Sequence, residues 1–175
     1  MFEPIVIVCA RGGSKGIPWK NFKSPFQGRT PYEVLRDKLD KSILNSAKSF
    51  VSSDSDEILN LASKSGFTPL KRPDHLALGS SRIVEVLKYV KDSLNLPDSS
   101  QFIQISAVSP FLKPSTIDKV ANLSLSGDNS VITVTQFHGN AHPALAGSVE
   151  NGKFSYLYDF TERYPRQKRP ELVYP

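Results

Sequence analysis

Hydrophobic and polar positions alternate in blocks along the 175 residues, and the blocks switch several times between strand-like and helix-like periods. The run PIVIVCA at residues 4–10 is continuously apolar and β-branched, which is typical of a strand buried on both faces. The shorter runs SFVSSD, QFIQI and SVITVT at residues 49–54, 101–105 and 130–135 predict three more strands. Segments with helical spacing lie between these runs.

The first helical segment carries a complete start signal. Thr30 is a candidate N-cap, Pro31 occupies the first helical position, and Glu33 follows three residues after the cap. This spacing predicts a capping box, in which side chains at the two ends satisfy each other's backbone N–H groups. The segment SDEILNLASKSG predicts a second helix that Gly66 closes.

Two later helices and a hairpin complete the pattern. The segment SSRIVEVLKYVKDSLNLPD places Ile83, Leu87, Val90 and Leu94 on one face, with the pair Ser80 and Ser81 as its N-cap. The segment PSTIDKVANLSLSG predicts a fourth helix, with Ser115 and Asp118 as a second capping box. Residues 150–152, Glu-Asn-Gly, predict a β-hairpin turn.

The repeated order of strand, loop and helix predicts an α/β fold in three layers, with a mostly parallel sheet and helices on both faces. The length suits one domain, 1–175, whose pattern becomes irregular from about residue 137 to 175. Ligands of such sheets bind outside the carboxyl ends of the strands. The loop after the first strand is therefore the first place to look for a site.

Charge and cysteine content narrow the classes of partner and compartment. The net charge of +5 suits an anionic ligand, but the densest basic run, RQKR, is too short for a nucleic-acid arm. The single cysteine, Cys9, excludes a disulfide framework and favours a cytoplasmic location. The N-terminal run is a poor signal peptide, and no apolar run is long enough for a membrane helix.

The loop CARGGSKGIPWKN, residues 9–21, has the composition of a polyphosphate site. Gly12 and Gly13 allow backbone N–H groups to point at an anion, and Arg11, Lys15 and Lys20 add three positive charges that suit a triphosphate. The loop matches neither the Walker A pattern nor the dinucleotide-binding glycine pattern. The alternative is a plain strand–helix turn with solvated lysines, but the pattern is longer than such a turn requires.

This loop resembles the nucleotide-binding signature of the acylneuraminate cytidylyltransferases, the synthetases of CMP-sialic acid and related CMP-nonulosonic acids. Further segments resemble the family in order along the chain: GRTP, VSSDSDEI, KRPDHLA, FIQISAVSPFLKPSTID, SVITVT, HPALAG and PRQKRPELVYP. The resemblance implies a Rossmann-like nucleotidyltransferase fold. It also implies a homodimeric transferase that uses Mg²⁺ to join CTP to a nonulosonic acid and releases pyrophosphate.

The resemblance also implies roles for individual residues. Arg11 and Lys20 would be catalytic, holding the triphosphate and neutralising charge on the departing pyrophosphate. The implied nucleotide-binding residues are Arg11, Gly12, Gly13, Ser14, Lys15, Lys20, Asn21, Arg72, Ser80 and Ser81. The implied sugar-binding residues are Gln104, His142, Arg166 and Gln167.

From the residues alone, several of these roles have alternatives. Arg72 could equally cap a turn, Arg166 could belong to a solvated basic tail, and His142 could be structural. Asp54, at the end of the second strand, is expected to order the following helix.

The chain departs from the family pattern at three points. No Asp-x-Asp pair stands in the context of the family's Mg²⁺ ligands, so no metal-ligating residue is assigned. The segment between Gln104 and Pro110 is longer than usual, and Ala144 and Leu145 stand where a lysine is common. Two alternatives therefore stay open: a transferase of the same fold with another nucleotide or sugar acid, and a CTP-binding remnant without catalysis.

Overall fold

A computed structural model describes residues 4–13, 20–22, 28–127, 130–133 and 147–156 of the chain. Contacts divide the chain into two compact units, residues 1–131 and 132–175. The first contains a four-stranded sheet and the second a two-stranded hairpin. None of the helices in the described ranges has the length and apolar character needed to cross a bilayer. The single-domain assignment stays a prediction.

The sheet of the first unit is parallel throughout and confirms the predicted fold class. Its strands are β1 (Ile5–Cys9), β2 (Ser49–Ser53), β3 (Thr68–Lys71) and β4 (Phe102–Gln104), and they lie in the order β3-β2-β1-β4. The helices are α1 (Pro31–Asp40), α2 (Asp56–Lys64), α3 (Ile83–Ser93) and α4 (Pro114–Leu125), with a short 3-10 helix at Asp74–Ala77. Because β1 lies between β2 and β4, the strand order reverses direction at β1, which is where ligands bind in sheets of this kind.

The two faces of the sheet pack against different helices. On one face, Val6 and Val8 of β1 and Val51 of β2 form a core with the buried side chains of α1, α2 and α4, which we call the first core. On the other face, Ile5 and Ile7 pack with α3 in the second core. This division follows from the alternation of side chains along a strand, and it gives the predicted layers.

The start of α1 confirms the predicted capping box. The Thr30 hydroxyl accepts a hydrogen bond from the Glu33 N–H at 3.2 Å, and the Glu33 carboxylate accepts one from the Thr30 N–H at 2.6 Å. The predicted end of α2 is also confirmed, because Gly66 has a φ of +81°, which favours glycine.

The predicted start of α3 is wrong. The N-cap is Arg82, whose N–H donates to the Glu85 carboxylate at 2.8 Å, so the helix starts after the serine pair. The Ser81 hydroxyl instead donates to the His75 carbonyl at 2.7 Å. The predicted apolar face is confirmed at Leu87, Val90 and Leu94, which pack in the second core, and is wrong at Ile83, which is 49% exposed.

The capping box predicted for α4 is wrong as well. The helix begins after Lys113, with Pro114 at its first position. Asp118 is drawn to a distant donor, because its carboxylate accepts a hydrogen bond from the Ile43 N–H at 2.9 Å. Asp118 therefore bonds to the turn after α1 and not to the start of its own helix.

The strand predicted over residues 130–135 is not found where the structure describes it. Residues 130–133 pair with no strand in the described part of the chain, and Ile132 is 56% exposed, so its apolar side chain lacks the burial that a core strand requires. Residues 134 and 135 lie outside the described ranges.

The second unit confirms the predicted hairpin. Strands β5 (Gly147–Glu150) and β6 (Lys153–Tyr156) pair antiparallel around Asn151 and Gly152. Both turn residues have positive φ, +51° and +77°, as a two-residue type I′ turn requires.

Candidate nucleotide-binding site

The glycine-rich loop leaves β1 at its carboxyl end and is described at residues 10–13 and 20–22. Its first turn is fixed to the neighbouring strand, because the Ala10 N–H donates to the Ser52 carbonyl at 3.1 Å. The buried Asn21 donates from Nδ2 to the Arg11 carbonyl at 2.7 Å. Asn21 thus holds the two arms of the loop together across the intervening residues.

Gly12 lies against the end of β2. Its N–H donates to Oδ1 of Asp54 at 3.1 Å. A Cβ atom at Gly12 would lie 3.2 Å from the Ser55 Cβ and 3.4 Å from the Asp54 Oδ2, so a side chain there would crowd Ser55 and touch Asp54. For Gly13, by contrast, no described atom lies within 4 Å of the corresponding position. Gly12 therefore permits a close contact with the end of β2, whereas no described residue crowds Gly13.

Arg72 brings a buried positive charge to the same edge of the sheet. It directly follows β3, and its N–H donates to the Ser53 carbonyl at 2.9 Å. Its side chain is only 5% exposed, and one guanidinium nitrogen, Nη2, lies 3.7 Å from Oδ1 of Asp54. Arg72 Nε is buried and has no hydrogen-bond partner among the described residues.

Electrostatic effects connect Arg72 with Arg11 and Cys9. Burial lowers the pKa of Arg72, the neighbouring Cys9 and Asp54 oppose this shift, and the positive charge of Arg11 adds to it. Burial likewise raises the pKa of Cys9 to about 11, against the opposing effect of Arg72. Two guanidinium groups thus lie close enough to repel each other at the carboxyl end of the sheet, where an anion would stabilise both.

The remaining predicted residues are placed as follows. Lys20 is exposed beside Asn21, and Gln104 is exposed at the end of β4. Gln104 follows Phe102 by two residues and so lies on the face of the second core, which also includes Cys9. Ser80 is exposed in the turn before α3. Ser14, Lys15, His142, Arg166 and Gln167 lie outside the described residues.

Sequence reasoning missed the role of Asp54. We expected it to order α2, but Ser55 is the N-cap of that helix, and its hydroxyl accepts the Ile58 N–H at 3.4 Å. Asp54 faces the loop and Arg72 instead. The available signal was its position, since β1 and β2 are parallel neighbours and their carboxyl ends meet at one edge.

The described residues do not fit a resident Mg²⁺ site. They contain no group of three or more His, Cys, Asp or Glu side chains that could hold a metal ion. Near the loop, Asp54 is engaged by Gly12 and Arg72, while the Asp56 carboxylate lies 2.8 Å from Lys71 Nζ. Carboxylates already compensated by cations and N–H groups are poor candidates for a divalent ion.

Comparison with known proteins places the chain in a family. A family model described as Cytidylyltransferase matches residues 5–148, which include all four strands of the parallel sheet. The chain belongs to the cytidylyltransferase family. This finding confirms the resemblance that the glycine-rich loop and the later segments indicate.

Curated relatives of this cytidylyltransferase-family chain share modest identity with it. N-acylneuraminate cytidylyltransferase B of Danio rerio is 29% identical over 170 residues, which is 96% of this chain and 39% of the relative. N-acylneuraminate cytidylyltransferase of Streptococcus agalactiae serotype V is 23% identical over 99% of this chain and 41% of its own length. The chain therefore spans about two fifths of these relatives.

Solved structures agree with the family on the fold. A CMP:2-keto-3-deoxy-manno-octonic acid synthetase complexed with CTP matches 71% of this chain and 48% of its own, with a TM-score of 0.56 and 15% identity. A cytidylyltransferase from Leptospira borgpetersenii serovar Hardjo-bovis matches 73% of this chain and 51% of its own, with a TM-score of 0.56 and 16% identity. At these identities the match establishes the nucleotidyltransferase fold.

Proposed function

We propose that this chain carries the nucleotide site of an enzyme that joins CTP to a sialic-acid-like nonulosonic acid, giving the CMP-sugar and pyrophosphate. Membership of the cytidylyltransferase family supports the nucleotide. The relatives named N-acylneuraminate cytidylyltransferase support the class of sugar acid. The cytoplasmic location, the homodimer and the use of Mg²⁺ stay predictions.

One observation carries the proposal: two arginines, Arg11 and Arg72, follow β1 and β3 at the carboxyl end of the parallel sheet. Arg72 is almost fully buried, and the positive charge of Arg11 lowers the pKa of Arg72 further. A triphosphate placed there would compensate both charges in a partly desolvated site, where electrostatic interactions are strong. The exposed Lys20 of the adjoining loop adds a third positive charge.

In the proposed reaction the anomeric hydroxyl oxygen of the sugar acid attacks the α-phosphorus of CTP. A new O–P bond forms, the bond from the α-phosphorus to the bridging oxygen breaks, and the hydroxyl proton is released. Arg11 and Lys20 would neutralise the charge that develops on the departing pyrophosphate. Gln104, at the end of β4, would position the sugar by hydrogen bonds from its amide. No step is assigned to Mg²⁺, because the described residues do not fit it.

Calorimetry and a coupled pyrophosphate assay test the proposal together. We expect the chain to bind CTP more tightly than ATP, GTP or UTP. Pyrophosphate release is then measured with sialic, legionaminic, pseudaminic and 2-keto-3-deoxy-octonic acids. Preference for another nucleotide or for the octonic acid would favour a transferase of the same fold with different substrates. CTP binding without turnover would favour a binding remnant, and no CTP binding would refute the proposal.

The variant Arg11→Ala tests the loop directly. Loss of one preorganised cation is expected to lower turnover by on the order of 100-fold or more while the fold stays intact. Arg29→Ala is the matched control, because Arg29 forms an exposed ion pair with Asp37 at 2.6 Å and lies before α1. Unchanged kinetics in Arg11→Ala would remove the loop from the mechanism.

A further inference from the structure

One carboxylate joins the two halves of the candidate site. Oδ1 of Asp54 accepts the Gly12 N–H at 3.1 Å, and the same oxygen lies 3.7 Å from Nη2 of Arg72. Gly12 belongs to the loop after β1, whereas Arg72 follows β3. The two segments are 60 residues apart in the chain, and Asp54 lies at the end of β2, the strand between them.

The charges at this edge explain why such a link is needed. Arg72 is 5% exposed, and a buried cation without a counter-charge is strongly unfavourable. Arg11 makes the problem worse, because its positive charge lowers the pKa of Arg72, while Asp54 opposes that shift. Without the carboxylate, repulsion and desolvation would both drive Arg72 away from the loop.

We propose that Asp54 is a positioning residue of the nucleotide site, whose carboxylate holds the Gly12 peptide and the Arg72 guanidinium together before the nucleotide arrives. Asp54 acts through these two groups and does not itself contact the nucleotide. This inference rests on the proposed function, since it assigns Asp54 to the CTP site. Preorganisation of this kind saves the cost of ordering the loop at the moment of binding.

The direction in which Asp54→Asn changes CTP affinity distinguishes a positioning role from a purely electrostatic one. The amide oxygen of asparagine can still accept the Gly12 N–H, but the negative charge beside Arg72 is lost. If Asp54 were only a negative charge near a polyanion, its removal would tighten CTP binding. If Asp54 positions Arg72, CTP binding weakens although the site has become more positive.

We expect Asp54→Asn to weaken CTP binding about tenfold or more in calorimetry, because it leaves the buried Arg72 without its partly buried counter-charge. Asp56→Asn is the matched control. Asp56 lies two residues further on, and its carboxylate pairs with Lys71 at 2.8 Å while its side chain is 82% exposed. This control should bind CTP as the unsubstituted chain does. Equal or tighter CTP binding by Asp54→Asn overturns the inference.

A double-mutant cycle tests whether Asp54 acts through Arg72. The substitution Asp54→Asn is combined with Arg72→Met, and CTP affinity is measured for both single variants and the double variant. We expect Asp54→Asn to have little further effect once Arg72 is absent, because residues that act as a unit are not additive. Additive losses would contradict a shared role.

Gly12→Ala tests the contact between Asp54 and the loop. It replaces Asp54→Asn as the test if that variant does not unfold cooperatively on heating and is therefore misfolded. The new Cβ would crowd Ser55, the residue after Asp54, without any change of charge. We expect it to weaken CTP binding several-fold. Unchanged binding would show that the contact between Gly12 and Asp54 does not position the site.

A measurement without nucleotide keeps this inference separate from the proposed function. The Gly12 amide hydrogen should exchange slowly with solvent in the unsubstituted chain and faster in Asp54→Ala, and equal exchange would contradict the link. If the unsubstituted chain does not bind CTP, the proposed function fails. If it binds CTP and Asp54→Asn binds as well or better, only the positioning role fails.

Discussion

The ammonium group of Lys38 in α1 donates a hydrogen bond to the Ser109 carbonyl oxygen, 3.2 Å away, and a second one to the Pro110 carbonyl. These carbonyls belong to the loop that follows Gln104 and β4. Partial burial of Lys38 lowers its pKa, although both its partners are acceptors. Helix α1 therefore holds the loop next to the proposed sugar-acid position.

Lys38→Met should release this loop while it keeps a long apolar side chain against α1. We expect the KM for the sugar acid to rise roughly threefold to tenfold, the loss typical of a hydrogen bond from a charged donor, with a smaller change in the KM for CTP. Steady-state kinetics with each substrate varied in turn would measure both. Lys41→Met, at an exposed position after the same helix, is the control. Equal changes in both KM values would contradict a local effect on the loop.

Gln104→Ala should change the KM values of the two substrates more unequally than Lys38→Met does. Its amide both donates and accepts hydrogen bonds, and it is exposed at the end of β4 on the face that also holds Cys9. We expect the KM for the sugar acid to rise by about tenfold, with the KM for CTP nearly unchanged. The reverse pattern would assign Gln104 to the nucleotide instead.

The pH dependence of Cys9 alkylation tests burial and charge at the candidate site. Burial raises the thiol pKa to about 11, so alkylation by iodoacetamide should be slow at pH 8 and accelerate up to about pH 11. In urea the rate should rise near pH ~8.5, the usual range of a free cysteine. The protonated thiol is favoured by folding, so its contribution to stability is present below pH ~8.5 and is lost as the pH rises towards 11.

The same measurement reports on Arg72. Its positive charge lowers the pKa of Cys9, so Arg72→Met should raise that pKa further and slow alkylation at a given pH. Native alkylation at pH 8 as fast as in urea would contradict the partial burial of Cys9 in the structure.

Thr30→Ala removes half of the capping box of α1. We expect the free energy of unfolding to fall by about 1 kcal/mol, measured by urea denaturation. Ser115→Ala is the matched control, because Ser115 stands in a similar sequence pattern but does not cap α4. Its effect should stay within about 0.5 kcal/mol. A similar loss in both variants would contradict the cap assignments.

This pair of helices also shows how far the sequence predicts the fold. The cap of α1 is a contact between Thr30 and Glu33, three residues apart, so the local pattern is sufficient to predict it. The same kind of pattern fails at α4 because Asp118 bonds to Ile43, 75 residues away. The buried strands and the hairpin turn are predictable for the same reason as α1, since burial on both faces and positive φ leave local signatures.

The candidate site shows the same difference between local and long-range contacts. The cations and glycines of the loop are visible in the sequence because they lie within a few residues of each other. The contact between Asp54 and Arg72 depends on the order of the strands, which a single sequence does not reveal. The sequence thus indicates which kind of ligand binds but not how the binding groups are held in place.

The separation of the two cores has a practical consequence for protein engineering. Arg72 and Cys9 lie at the end of the sheet face that packs against α3, whereas α1, α2 and α4 cover the opposite face. Substitutions that improve packing around Tyr32 or Leu39 would therefore be separated from the charged groups by the thickness of the sheet. Packing around these two residues and the charges near Arg72 could be varied in separate libraries, one for each side, provided that Lys38, through which α1 holds the loop after β4, is kept.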